Sequence, residues 1–292
     1  MQKTESGKGL GRLVVGVDGS DSTRAAVLWA AREAARRTTG LYLVHATDTA
    51  AASFFASRND LLQRRRNGRE ALDAAADLAG RHPGLAVVKN LDDDAPADSL
   101  RRAAAQSGTI VIGHRADGFP HHVLGSVARE VLQTATTPVV VVREAAEPEP
   151  GSESESESGT GTGEPRPVLA AVRDDSDLGC ALTAACEARA HQVPLRLLHV
   201  RRADSARPPA RLVDRVREEF PEVTVETEEE TSRSVPGALV EASRHADLLV
   251  VGGRRPAGHL GPLLGRTALK LLQHAHCPVE FLPRHGHGHG TT

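Results

Sequence analysis

The sequence predicts a duplicated α/β protein, two tandem doubly wound domains each built on a mainly parallel five-stranded sheet flanked by helices. Three observations carry that reading. A phrase occurs twice, from Ile110 to Val142 and from Leu248 to Leu282: an apolar strand ending in glycine, a short basic loop, a second glycine opening a helix, and a Pro-started apolar strand. Strand and helix patterns alternate through both halves, which calls for a parallel sheet covered on both faces by right-handed crossovers. The 292 residues are enough for two domains with a core each.

The elements follow in order. Leu13 to Ser20 reads as a buried strand running into a turn, and Ser20 or Asp21 caps a helix reaching Arg37. Leu41 to Ala46 is the second strand. The second half repeats the order with Val168 to Val172, a helix from about Asp177 to His191, and Leu195 to Val200, so His45 and His199 correspond and take structural, backbone-contacting roles. The first half then inserts Ala50 to His82, a loop and a long helix, where the second has the shorter Arg201 to Phe220. Each half continues with a third strand (Leu85 to Asn90; Val223 to Glu230), a helix starting near a proline (Pro96; Pro236), and the repeated phrase.

Residues 10–143 and 167–284 therefore read as the two domains, joined by 144–166, an acidic Pro, Gly, Ser and Glu spacer without apolar periodicity. Its Ser-Glu alternation also suits a kinase. Residues 285–292 form a His/Gly tail in which His285, His287 and His289 alternate, a weak and unorganised metal binder. Pro138–Val142 and Pro278–Leu282 read as edge strands that pair across the two domains and hide an aggregation-prone edge, which requires Glu280 to point to solvent.

Composition excludes several functions. The formal net charge of -2 provides no field for nucleic acid or an anionic membrane, and 2% aromatic residues leave no stacking platform for single strands. The first residues lack the apolar core of a signal peptide, and no apolar run reaches the roughly 20 residues of a membrane span. Cys180, Cys186 and Cys277 form no CxxC pair and read as structural thiols. A cytoplasmic protein is expected.

Chemistry in such a sheet gathers outside the carboxyl ends of the strands, where strand order reverses. There the first half offers Gly16, Val17, Asp18, Gly19 and Ser20 after its first strand. Gly113, His114 and Arg115 end its fourth strand, and Gly125, Ser126 and Val127 open a helix whose free N–H groups favour a phosphate. Two readings stand: a phosphate-bearing ligand held between an acidic acceptor and a helix N-terminus, or ordinary turn and cap residues. His114, His121 and His122 lack a carboxylate or cysteine to complete a metal site, so no metal ligands are assigned. No nucleophile elbow, phosphate loop or carboxylate pair marks a catalytic residue.

The strand Val14 to Ser20, the end of the second strand from Leu43 to Ala46, and the glycine loop running from Gly125 to Leu132 before a Pro-started valine strand resemble the universal stress protein family. The resemblance covers both halves. It implies a Rossmann-like fold, and ATP with Mg²⁺ held by the first-strand Asp and a loop of form Gly-x2-Gly-x9-Gly-[Ser/Thr]. Carried over, Val17 and Asp18 lie near adenine and ribose, Ala46 beside adenine, and Gly113, Arg115, Gly125, Ser126 and Val127 around the phosphates. Ala116 replaces the second loop glycine and the loop is shortened. The second half keeps the spacing and changes the residues: Arg173 stands at the Asp position, Val200 ends the second strand, and Gly252, Arg255, Gly265 and Arg266 occupy the loop. This implies a degenerate partner domain.

The functional expectation is a cytoplasmic stress-response regulatory module with adenine nucleotide in its first half, serving an unidentified protein partner. A ligand-free interaction scaffold and a slow ATPase are the alternatives.

Overall fold

The computed structural model describes residues 10–49, 57–105, 108–114, 125–143, 165–201, 210–253 and 264–283. The first half contains β1 (Leu13–Gly16), α1 (Asp21–Arg36), β2 (Leu41–Ala46), α2 (Arg58–Ala79), β3 (Val87–Asp92), α3 (Pro96–Ala104), β4 (Thr109–His114), α4 (Ser126–Thr134) and β5 (Val139–Arg143). The second contains β6 (Val168–Ala171), α5 (Leu178–His191), β7 (Leu195–Arg201), α6 (Ala210–Glu219), β8 (Val225–Thr231), α7 (Val235–Ala242), β9 (Leu248–Val251), α8 (Arg266–His274) and β10 (Val279–Phe281). The predicted linker and tail fall outside the described residues, apart from the residues just before β6.

Local chemistry sets the helix starts. Ser20 caps α1 by accepting from the Thr23 N–H, with Asp21 in the first turn and Arg36 in the last, both matched to the helix dipole. The inserted helix α2 opens on a capping box, Ser57 and Asp60 satisfying one another's backbone N–H. Pro96 and Pro236 stand in the first turns of α3 and α7, where a missing N–H costs nothing. Among the described residues no helix is long and apolar enough to cross a membrane.

All ten strands form one sheet in the order β3-β2-β1-β4-β5-β10-β9-β6-β7-β8. Within each half every pairing is parallel, and strand order reverses between β1 and β4 and between β6 and β9. The halves meet where β5 and β10 pair antiparallel, Val141 opposite Val279, Val140 opposite Glu280 and Val139 opposite Phe281. The expected edge pairing is thus present.

Glu280 departs from expectation. It is 1% exposed, facing into the sheet's covered side rather than to solvent. Burial pushes its carboxyl upward, and the Arg37 guanidinium works in the opposite direction. Arg37 sits just past α1 with its side chain fully buried, its Nε 2.7 Å from Glu33 Oε1 and its Nη2 2.8 Å from Glu187 Oε2 of α5. The join therefore pairs strands that are apolar except at Glu280, with an ionic group beneath them.

Packing is asymmetric about the sheet. On the face carrying α1, α2, α5 and α6, one hydrophobic core runs through both halves, with Trp29, Leu72, Val140, Leu195, Leu212, Phe220 and Leu248 among its members. The opposite face divides into two cores, one under α3 and α4 and one under α7 and α8, and Phe281 packs against both. Each fully buried Leu or Val contributes about 1.5–3 kcal/mol relative to exposure, so the shared core is a strong bond between the halves.

Candidate functional site

The β1/β4 reversal brings the first-half residues to one sheet edge. Parallel pairing of Val15 with Val111 sets the turn after Gly16 beside the end of β4. In that turn Asp18 is exposed, and its Oδ1 accepts from the Ser20 N–H at 2.9 Å, Ser20 Oγ at 2.6 Å and Thr23 Oγ1 at 2.5 Å. Gly19 supplies a φ of 81° for the tight reversal. Val17 is buried, its N–H bonded to the Val44 carbonyl and its own carbonyl accepting from His45 Nδ1 at 2.7 Å. A carbonyl can only accept, so Nδ1 of His45 carries the proton. His199 Nδ1 binds the Val172 carbonyl in the same way at 3.1 Å, as the correspondence of the two histidines predicts.

Gly113 owes its identity to packing. A Cβ there would lie 2.1 Å from the Ser22 carbonyl oxygen, so only glycine lets α1 sit this close to β4. Gly125, by contrast, meets no atom of the described residues within 4 Å of an added Cβ, and has a φ of -52°. It is the N-cap of α4 and carries no capping side chain. The first-turn N–H groups at the exposed Ser126 and half-buried Val127 thus open toward the sheet edge, where an anion is favoured. Arg115, with the shortened loop around Ala116, lies outside the described residues.

Beside Ala46, at the end of β2, stands a network that sequence reasoning missed. Asp93 Oδ1 accepts from Thr47 Oγ1 at 3.1 Å and Thr49 Oγ1 at 2.9 Å, and Arg65 of α2 clasps the same carboxylate. Hydrogen bonding from Arg65 holds the Asp93 carboxyl below the usual range, although burial opposes this slightly. Arg65 therefore ties the inserted helix to the sheet edge.

In the second half Arg173, Val200, Gly252, Gly265 and Arg266 do come together, around a cavity of about 540 Å³ on the face where the cores divide. Leu132 to Thr136, from the end of α4 and beyond, line its other side, so both halves contribute. Arg255 lies outside the described residues. Arg173 does not fill the space with free charge: Nε and Nη2 grip Asp177 at 2.9 and 2.6 Å. The acidic turn is also not lost. Asp174, one residue later, accepts from the Ser176 N–H at 2.9 Å as Asp18 does from Ser20. The matched histidine contacts of Val17 and Val172 set the register and show the acceptor displaced by one position.

A further group gathers at the join, where sequence reasoning assigned no metal ligands. Glu33, Glu187 and His191 place one ligand atom each within 4.8 Å of one another. Burial works against the charge of Glu33, but the close contact with His191 at 2.8 Å and the charge of Arg37 hold its carboxyl down at about 2. Burial likewise opposes charge on His191, yet Asp247 and Glu33 raise it to about 9. Burial and neighbouring Glu280 push Glu187 upward against Arg37. A signal existed in the sequence. Glu33 and Arg37 precede the start of β2 at the same spacings at which Glu187 and His191 precede the start of β7, on otherwise alanine-rich helix faces.

Comparison with known proteins places this geometry. The model of the universal stress protein family matches residues 9–143 and 210–282. A universal stress protein of Mycolicibacterium smegmatis is 30% identical over 293 residues, covering 91% of this chain and 95% of that one. One from Mycobacterium tuberculosis is 28% identical over 279 residues, covering 93% and 96%. The solved structure of a universal stress protein from Archaeoglobus fulgidus has the same fold, with a TM-score of 0.66 at 16% identity over 94% of this chain and 98% of that one. With two matched regions on one sheet, the chain belongs to the universal stress protein family as a tandem member.

Proposed function

We propose that this chain is a cytoplasmic stress-response regulatory module whose first half binds an adenine nucleotide, ATP with Mg²⁺, across the β1/β4 edge. The observation that supports the reading is that the Asp18 turn follows β1 and α4 follows the adjacent parallel strand β4, so both start from the carboxyl edge of the sheet at the strand-order reversal. Asp18 and Val17 would hold the nucleoside, while the N–H groups of Ser126 and Val127 and the Ser126 hydroxyl would hold the phosphates. Mg²⁺ would ride on the phosphate oxygens, as it does where few protein carboxylates are offered. Regulation then follows occupancy, and the protein binds without turning nucleotide over.

Calorimetry with Mg-ATP tests it directly. The parent chain should take up one equivalent, and Asp18→Ala with Ser126→Ala should weaken binding at least tenfold while leaving the fold intact by circular dichroism. No heat of binding, together with no nucleotide released from heat-denatured purified protein, would overturn the proposal. Phosphate release above background would favour the slow ATPase.

One observation favours a ligand-free interaction module instead. Asp18 Oδ1 already receives three donors from its own turn, which leaves that oxygen occupied by the protein. The same calorimetric result separates the two readings.

A further inference from the structure

We propose that the join between the halves holds a divalent first-row transition metal, ligated by Glu33 of α1 and by Glu187 and His191 of α5. The site spans the two domains and lies away from the nucleotide edge.

Four observations converge on it. First, these side chains are 0–1% exposed, yet Glu33 Oε2, Glu187 Oε1 and His191 Nε2 all lack a hydrogen-bond partner. His191 Nε2 lies 2.8 Å from Glu33 Oε2 but off the line of a hydrogen bond. Buried polar atoms are nearly always satisfied, so three of them converging on one spot indicate something that binds all three.

Second, the other atom of each group is already engaged. Arg37 takes Glu33 Oε1 and Glu187 Oε2, and His191 Nδ1 meets Asp247 Oδ2 at 2.7 Å. Arg36 Nη1 stands 3.4 Å from that same Asp247 oxygen. A histidine that gives its Nδ1–H to a carboxylate presents Nε2 as a lone pair, the arrangement that orients metal-bound imidazoles.

Third, the spacing fits. Ligand atoms about 2.1 Å from a common ion lie roughly 3 Å apart when adjacent and about 4 Å apart when opposite. Nε2 to Glu33 Oε2 is 2.8 Å, an adjacent pair, and the whole set, within 4.8 Å, closes onto an ion by small side-chain shifts.

Fourth, charge balances. Glu33, Glu187 and the fully buried Glu280 set three carboxylates against one buried guanidinium, Arg37, while Asp247 is answered by Arg36. A divalent ion that displaces the second ring proton of His191 on binding cancels the remainder. Mixed imidazole and carboxylate ligands suit Zn²⁺, Mn²⁺, Fe²⁺ or Co²⁺ better than Mg²⁺ or Ca²⁺.

The experiment uses the full chain with His285, His287 and His289 changed to Asn, which removes the tail as a competing binder. After stripping with a chelator, it is titrated with Zn²⁺ by calorimetry, and with Co²⁺ while the visible spectrum is followed. One equivalent per chain is expected, with a d–d band for Co²⁺ and a thermal midpoint raised by several degrees. Glu187→Gln should abolish all three. Asp247→Asn keeps every ligand but frees the imidazole, and should weaken affinity 10–100-fold. Because Asp247 is partly exposed, that variant keeps the test decisive even if Glu187→Gln fails to fold. Absence of stoichiometric uptake, uptake that persists in Glu187→Gln, or unchanged affinity in Asp247→Asn would each overturn the proposal. In the first of those outcomes the protonated His191, together with one proton on the raised carboxyls of Glu187 and Glu280, balances the charge instead.

Discussion

Two glycines of the same loop illustrate what a residue can and cannot reveal. Gly113 and Gly125 look alike in sequence and in the family pattern, but one is sealed against the α1 backbone and the other has no neighbour among the described residues where a Cβ would stand. Gly113→Ala should therefore cost about 3 kcal/mol, since backbone must shift to admit the methyl. Gly125→Ala, at a φ any residue accepts, should change stability by less than about 0.5 kcal/mol. Chemical denaturation of both variants checks the contrast, and similar losses would contradict it. The first-strand Asp was legible because its acceptor chemistry is local. Asp174 was not, because a one-residue shift of the acceptor becomes visible only once the histidine contacts fix the register.

At the scale of elements, the alternation of strand and helix and the Pro-started strands sufficed to place all ten strands, including the β5–β10 pair. The environment of Glu280 was hidden, since its counter-charge, Arg37, stands in the other half of the chain. The ionic group under the join was unreadable for the same reason: helices α1 and α5 supply it together. The register makes a test of sign available. Val140 lies directly opposite Glu280, so Val140→Glu sets two buried carboxylates together and should destabilise by about 4 kcal/mol. Val140→Lys introduces a counter-ion, and should be the milder by about 2 kcal/mol. Equal unfolding free energies for the two would show that Glu280 does not sense strand β5.

For the whole molecule, the shared core and the continuous sheet make the covalent link secondary. A protease site engineered within residues 144–164 and then cut should leave both fragments co-eluting in size-exclusion chromatography, with separation only under denaturant. Fragments that part in native buffer would mean that the β5–β10 ladder and the Arg37 network contribute little to cohesion. The cavity lined from both halves would then be lost as well, because Leu132 to Thr136 form one of its walls.

The register of β5 and β10 also governs which halves can meet. Val140 and Glu280 occupy the same place in the repeated phrase, each two residues past its proline, and they face each other across the join. Two copies of the second half joined in this way would bring Glu280 against Glu280 in a dry interface, with no Arg37 to answer them. Two copies of the first half would leave each Arg37 with Glu33 of its own half but without the Glu187 and Glu280 of the other. The register that sets Val140 against Glu280 thus suits the join of unlike halves, where the buried carboxylate of one meets Arg37 of the other.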